Sequence, residues 1–188
     1  MARQLFTRNG LKNTTMNDIA NASEKGRRTV YSYFRTKREI YEAVIEDESR
    51  QVRDLLRREV GLMDTPEQKL RRLMELRMDL AVSSGRRPEV WFRSLFSRDV
   101  DRADRMRNMV RGCIYEMIGG IISDGVADGV FDTEQAGRVK YLLTVLVQGC
   151  DWELMREPEQ AQSEPPSRRV RFATSLDFIM DGLAVRKM

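Results

Sequence analysis

Thr14-Thr15-Met16-Asn17-Asp18-Ile19-Ala20-Asn21-Ala22-Ser23-Glu24-Lys25-Gly26-Arg27-Arg28-Thr29-Val30-Tyr31-Ser32-Tyr33-Phe34 is the stretch whose reading decides the fold. Thr15-Met16-Asn17-Asp18 has the form of a capping box with Asp in place of the usual Glu or Gln. The helix it opens places Met16, Ile19 and Ala20 on one face. The pattern breaks at Ser23-Glu24-Lys25-Gly26, and a second short helix runs through Tyr33, with Val30 and Phe34 one turn apart and facing inward. Two short capped helices joined by a tight turn make a helix-turn-helix. In that motif the second helix enters the major groove of DNA, and side chains of its first turn reach base edges. Arg27 and Arg28 suit this position, because a guanidinium donates two hydrogen bonds to guanine O6 and N7. Tyr31 and Tyr33 offer hydroxyls, and Lys37, at the start of the next helix, is expected to meet a phosphate.

Outward from this stretch, helix signals dominate and no strand alternation or internal repeat appears. Upstream, Leu5 and Phe6 belong to a short amphipathic helix stopped at Asn9-Gly10. Downstream, Thr36 caps a longer helix with Ile40, Val44 and Ile45 toward the core. Thr65-Pro66-Glu67-Gln68 combines a cap, a proline at the first helical position and a glutamine at the third. The spacing of Leu70, Leu73, Met74, Arg77 and Leu80 continues that helix until Ser83-Ser84-Gly85 and Pro88. A short aromatic helix is expected around Trp91, Phe92, Leu95 and Phe96. The clearest amphipathic helix spans about 102–123, with Val110, Ile114, Ile118 and Ile122 among its inward positions. Gly112, Gly119 and Gly120 interrupt it, and close helix packing, ahead of space for a ligand, is the expected compensation. Asp132 begins another helix, apolar nearly all round from Tyr141 to Val147. Residues 156–167, with three prolines, read as a polar loop, and a last helix carries Phe172, Leu176, Ile179 and Leu183.

Charge divides the chain. Residues 1–38 hold nine Lys and Arg against Asp18 and Glu24, a surplus of seven, whereas the remaining 24 basic and 27 acidic residues leave the body mildly acidic. A basic head on such a body suits polyanion binding. The chain has no histidine, which removes the commonest general base and metal ligand and every Ser-His-Asp or Cys-His arrangement. No catalytic set, metal site or cofactor is expected. Cys113 and Cys150 lie in apolar helical stretches and read as buried thiols. No apolar run approaches a membrane span, and no signal-peptide pattern precedes the head, so a cytoplasmic protein without a membrane partner is expected.

Leu5-Phe6, Gly10, Thr14-Thr15-Met16, Asp18-Ile19-Ala20, Thr29-Val30-Tyr31-Ser32-Tyr33-Phe34 and Lys37 resemble the tetracycline-repressor (TetR) family of bacterial transcription regulators in residue type and spacing across 5–37. The resemblance implies an all-α protomer: a three-helix DNA-binding head (1–40) and a helical effector-binding and dimerisation body (41–188). Carried over position by position, Asn17, Arg27, Arg28, Thr29 and Ser32 match base-reading positions, and Thr15, Tyr31, Tyr33 and Lys37 match phosphate-contacting ones. Two departures stand out. The family's usual Ala-Gly-Val-Ser turn is Ser23-Glu24-Lys25-Gly26 here, which predicts a looser or reshaped turn. The chain also starts inside the family's first helix, without a basic arm.

The resemblance places an effector cavity where aromatic and methionine residues concentrate: Met74, Met78, Trp91, Phe92, Phe96, Met117, Tyr141 and Trp152. Such a set is equally an ordinary core; Arg77, Glu116 and Asp151 lie near it and would suit a polar ligand group. The last two helices are expected to form a two-fold homodimer through Leu146, Cys150, Phe172, Leu176, Ile179 and Leu183. The expected partners are therefore a palindromic double-stranded DNA operator, a small-molecule effector and a second copy of the chain. The leading reading is a repressor released from DNA by its effector. An activator, or a ligand-independent DNA-binding protein of the same fold, fits the same residues. A small helical enzyme would need a paired set of acids or a lysine in a cleft, and the sequence presents neither.

Overall fold

Local capping chemistry sets the helix starts. In the computed structural model, which describes residues 1–82, 100–156 and 168–183, Thr15 accepts from the Asp18 amide at 3.1 Å while Asp18 Oδ2 accepts from the Thr15 amide at 2.8 Å. Thr65 and Gln68 form the same reciprocal box ahead of Pro66. Thr36 Oγ1 accepts from the Glu39 amide, and Asp132 Oδ1 accepts from the amides of Glu134 and Gln135. Each bond satisfies a backbone donor that the first turn leaves without a helical partner.

The described residues form eight helices and no strand, as the all-α expectation required: α1 Ala2–Asn9, α2 Met16–Ala22, α3 Arg27–Tyr33, α4 Lys37–Gly61, α5 Pro66–Val82, α6 Val100–Ala127, α7 Thr133–Arg156 and α8 Arg168–Leu183. α6 extends beyond the expected 102–123 at both ends. The expected aromatic helix around Trp91–Phe96 and most of the expected 156–167 loop lie outside the described residues.

The head, α1–α3, sits on the first half of α4. Phe6 meets Tyr41 edge to face, with ring centroids 5.2 Å apart, the geometry that the ring quadrupoles favour. Arg3 reaches Asp47 Oδ2 and Glu48 Oε1, both at 3.1 Å, and the Glu48 side chain is fully buried. In the body, α5 packs against α4, α6, α7 and α8. Its Leu70, Leu73, Met74, Leu76 and Met78 are buried together with Val52 and Leu56 of α4, Ile114 and Ile118 of α6, and Leu143 and Val147 of α7. Cys113 is buried there too, and burial pushes its thiol above the usual range, so it behaves as a small apolar side chain.

Three expectations change. The expectation that glycine packing compensates along α6 holds for Gly119 alone, whose Cβ position lies 3.1 Å from Lys140 Nζ; Gly112 and Gly120 are exposed. Phe172, Leu176, Ile179 and Leu183 are buried in the protomer's own core rather than facing a second chain. Tyr141 points outward and is 68% exposed instead of lining an interior cavity. The physical reason is the same for both terminal helices: each carries apolar residues on two faces, and the face repeating through Leu143 and Val147, or Leu176 and Ile179, packs inward.

The turn from α6 to α7 is set by contact. Gly125 O accepts from the amides of Val130 and Phe131, both at 2.9 Å, and the Phe131 ring folds back over Gly125. A Cβ on Gly125 would lie 2.1 Å from Phe131 Cδ2. Gly125→Ala is therefore expected to destabilise the body by about 1–3 kcal/mol, the usual cost of overpacking a core site. Urea unfolding at equilibrium checks this, and an unchanged midpoint would contradict the contact.

Candidate nucleic-acid interface

The α2–α3 turn keeps a tight form although its residues depart from the expected pattern. The Lys25 amide donates to Ala20 O at 3.2 Å and the Glu24 amide to Asn21 O at 3.2 Å. This six-to-one bond enclosing a five-to-two bond is the Schellman closure of a helix C-terminus. It requires a left-handed residue between them, and Glu24 takes that conformation at φ 54°. Gly26, by contrast, sits at φ −59° and ψ 145°, open to any residue, and caps α3 without a side-chain bond. The expectation of a looser turn is thus corrected. The hydrogen bonds hold the turn, and Glu24 bears the strain that glycine normally avoids.

α3 leaves this turn with Val30 buried against the head and Arg27, Arg28, Thr29, Tyr31, Ser32 and Tyr33 exposed. The first-turn guanidiniums of Arg27 and Arg28 are held by no ion pair among the described residues. Tyr33 is 78% exposed, so its hydroxyl is presented to solvent. Ser32 Oγ donates back to Thr29 O at 2.7 Å, which leaves its oxygen lone pairs, not its proton, for a base edge. Asn17, the second residue of α2, is exposed on the same head.

The other two expected phosphate contacts are occupied internally. Thr15 donates both its amide and its hydroxyl to Asp18 Oδ2, each at 2.8 Å. These bonds, the hydroxyl's first, hold the Asp18 carboxyl below the usual carboxylate range. Lys37 Nζ donates to Lys12 O at 3.0 Å and Thr14 O at 2.9 Å. Nothing in the sequence pattern marks that bond, because a lysine's reach depends on where two loops meet.

In the body, Met74 and Met78 are buried core residues and Met117 is half-buried. Arg77 is buried on α5, and Glu116 is exposed on α6. Trp91, Phe92 and Phe96 lie outside the described residues, as do the side chains of Cys150, Asp151 and Trp152. Leu146 is half-buried on α7. Two features were missed by sequence reasoning. One is the outward stripe of Tyr141, Leu142 and Val145 on α7 with Val170 and Phe178 on α8, all at least 45% exposed. Its trace in the sequence is that α7 is apolar on every side. The other is the Arg3–Glu48 pair, which has no local signature.

A basic, outward-facing second helix in a three-helix head, carried on a helical body, defines the class of helix-turn-helix DNA-binding proteins. Residues 1–44 match the family described as bacterial regulatory proteins, tetR family. The match covers the three-helix head and the start of α4; along the rest of the chain the similarity is to the fold of solved TetR-family regulators. A TetR-family transcriptional regulator from Pectobacterium atrosepticum superposes with a TM-score of 0.66 at 18% identity, over 100% of this chain and 92% of that one. A TetR/AcrR-family regulator from Thermobifida fusca gives 0.59 at 17% identity, over 99% and 94%. The ketosteroid transcriptional regulator of Mycobacterium tuberculosis gives 0.51 at 17%, over 98% and 92%. At such identities the likeness is one of fold. No curated protein matches the chain.

The strained turn yields a test. Glu24→Gly removes a left-handed side chain but loosens the unfolded chain, and the net gain expected is about 0.5–1 kcal/mol. Thermal unfolding followed by circular dichroism reads it; a variant less stable than the parent would mean that the Glu24 side chain makes a compensating contact.

Proposed function

We propose that this chain is a homodimeric transcription regulator that reads a palindromic operator with α3 and is released from it by a small molecule held in the helical body. The observation that carries the reading is the exposed first turn of α3. Arg27, Arg28 and Thr29 stand there behind a closed Schellman turn, on a head of the TetR family. Arginine forks suit guanine in the major groove, and the exposed hydroxyls of Tyr31 and Tyr33 suit the flanking phosphates. The described helices include none long and apolar enough to cross a membrane, in keeping with a regulator that works on cytoplasmic DNA.

Dimerisation rests on the outward stripe of α7 and α8. Phe178 is 79% exposed in the single chain, and Leu142, Val145 and Val170 are each exposed to 45% or more; leaving such side chains in water forfeits the burial that a partner would supply. Gly149 and Gly182 are exposed on the same two helices and leave room for close approach. A two-fold axis through this stripe pairs each patch with itself, and an obligate interface of this kind buries about 2,000 Å² or more. The effector reading rests on the methionines Met74, Met78 and Met117 in a body that shares its fold with a ketosteroid regulator. Polarizable, adaptable side chains of this type accommodate apolar ligands.

Selection of bound DNA from a random pool tests the DNA reading directly. The expected product is a palindrome with half-sites about one helical turn apart. On that site Arg27→Ala or Arg28→Ala should cost about 1–3 kcal/mol and flatten the preference at one base pair per half-site. If neither substitution alters the selected sequence, α3 is not the reader. Assembly is tested by sedimentation at micromolar concentration, where the parent should be a dimer and Phe178→Glu a folded monomer. A Phe178→Glu chain that still sediments as a dimer would place the interface elsewhere.

A further inference from the structure

Lys37 is the residue of the head whose expected and observed partners differ most. Its ammonium lies against two backbone carbonyls, Lys12 O at 3.0 Å and Thr14 O at 2.9 Å. Both belong to the loop between α1 and α2, while Lys37 itself is the first residue of α4. The loop is tightly built around this point. Thr14 is fully buried and donates its hydroxyl to Gly10 O at 2.8 Å, and Gly10 holds φ 75°. One residue later Thr15 opens α2 through its reciprocal bonds with Asp18. Lys37 follows α3 by four residues, so its side chain joins the entrance of α2 to the exit of α3.

We propose that Lys37 is a positioning residue for base reading: it closes the head into a ring by clamping the α1–α2 loop to the start of α4, and thereby fixes the angle of α3, rather than serving as a phosphate anchor. The proposal rests on the DNA-reading role of α3 put forward above. The physical case is a matter of donors. An ammonium has three N–H bonds, and two are already spent on carbonyls inside the head. Charge-assisted bonds of this kind are short and strong, and exchanging one for a phosphate would leave a loop carbonyl without its donor. The two carbonyls are acceptors only, and the donor that bridges them here comes from outside the loop, from the first residue of α4. α2 and α3 have seven residues each, too short to hold a fixed angle by their own stability. A tie across their two ends therefore has a large effect on where Arg27 and Arg28 point.

A clamp and an anchor predict different behaviour for Lys37→Met, which keeps the stem and loses the donors. An anchor acts on every DNA alike. Its loss would weaken selected and random duplexes by the same factor and make the salt dependence shallower by about one unit per protomer, hence about two per dimer. Loss of a clamp misaims the reading helix. The selected site should weaken by about tenfold or more relative to random duplex, the scale of losing a charged hydrogen bond, while the salt slope on random duplex stays unchanged. Simple loss of head stability would lower both affinities equally and leave the ratio intact.

The experiment is titration of the full-length protein and Lys37→Met against the selected site and a random duplex at four salt concentrations. A fallen ratio with an unchanged slope supports the clamp; an unchanged ratio overturns it. Where Lys37→Met does not fold, the parent protein decides by nuclear magnetic resonance. Scalar couplings from the Lys37 ammonium nitrogen to the carbonyl carbons of Lys12 and Thr14 should persist in the DNA complex. Their replacement by a coupling to phosphorus would overturn the clamp. Failure of the parent itself to prefer any sequence would instead sink the DNA-reading assignment, and the two failures are distinguishable.

Discussion

A carboxylate that water does not reach lies in the first half of α4, and much of the structure is arranged around it. Glu48 is fully buried, and a buried carboxylate is tolerated only with an opposite charge and hydrogen bonds around it. Arg3 supplies the charge from α1, and the other arm of its fork goes to Asp47. The next residue along, Ser49, is also fully buried and donates to Met109 Sδ of α6 at 3.6 Å. Arg105 of α6 pairs with Glu42, about two turns earlier on α4. Residues 42–49 therefore hold the head with one side and the body with the other. Any turning of α4 within the body is felt at α1, because the ion pair cannot stretch without exposing an unpaired charge.

What could be read from the sequence was what is decided within four residues. Thr15 with Asp18, Thr65 with Gln68 and Asp132 with Gln135 are local exchanges between a side chain and the first turn, so the helix starts were legible. Helix α3 was legible because Val30 within it and Phe34 just past it must face inward, leaving the polar positions outside. The α2–α3 turn was misread for a physical reason. Sequence reasoning assigns a turn's shape to its glycine, yet here the shape is imposed by bonds from the Glu24 and Lys25 amides to Asn21 and Ala20. The chain accepts a strained Glu24 to keep those bonds, since breaking them would leave carbonyls of α2 without donors.

The terminal helices show a different limit. A helix with one apolar face states which side is inside, whereas α7 and α8 have two. Leu176 and Phe178 are neighbours in sequence, yet Leu176 is buried and Phe178 almost fully exposed, and hydrophobicity alone does not rank them. The choice is made by α5, which contacts both helices. Lys37 illustrates the same limit in polar terms: the sequence displays its charge, while its partners lie 23 and 25 residues away. The candidate site was thus legible in composition and placement, and illegible in which of its donors were already spent.

The continuity of α4 from Lys37 to Gly61 bears on how such heads are exchanged between proteins. A graft that transplants residues 1–40 would carry Phe6 and Arg3 but leave behind Tyr41, Asp47 and Glu48, so a foreign body would receive a head stripped of its seat. Moving the splice past Ser49 transfers the ion pair, the ring contact and the clamp together. The natural unit of exchange in this chain is therefore a head with a stalk, and a chimera built on it must reconcile its new body with the α6-facing side of that stalk.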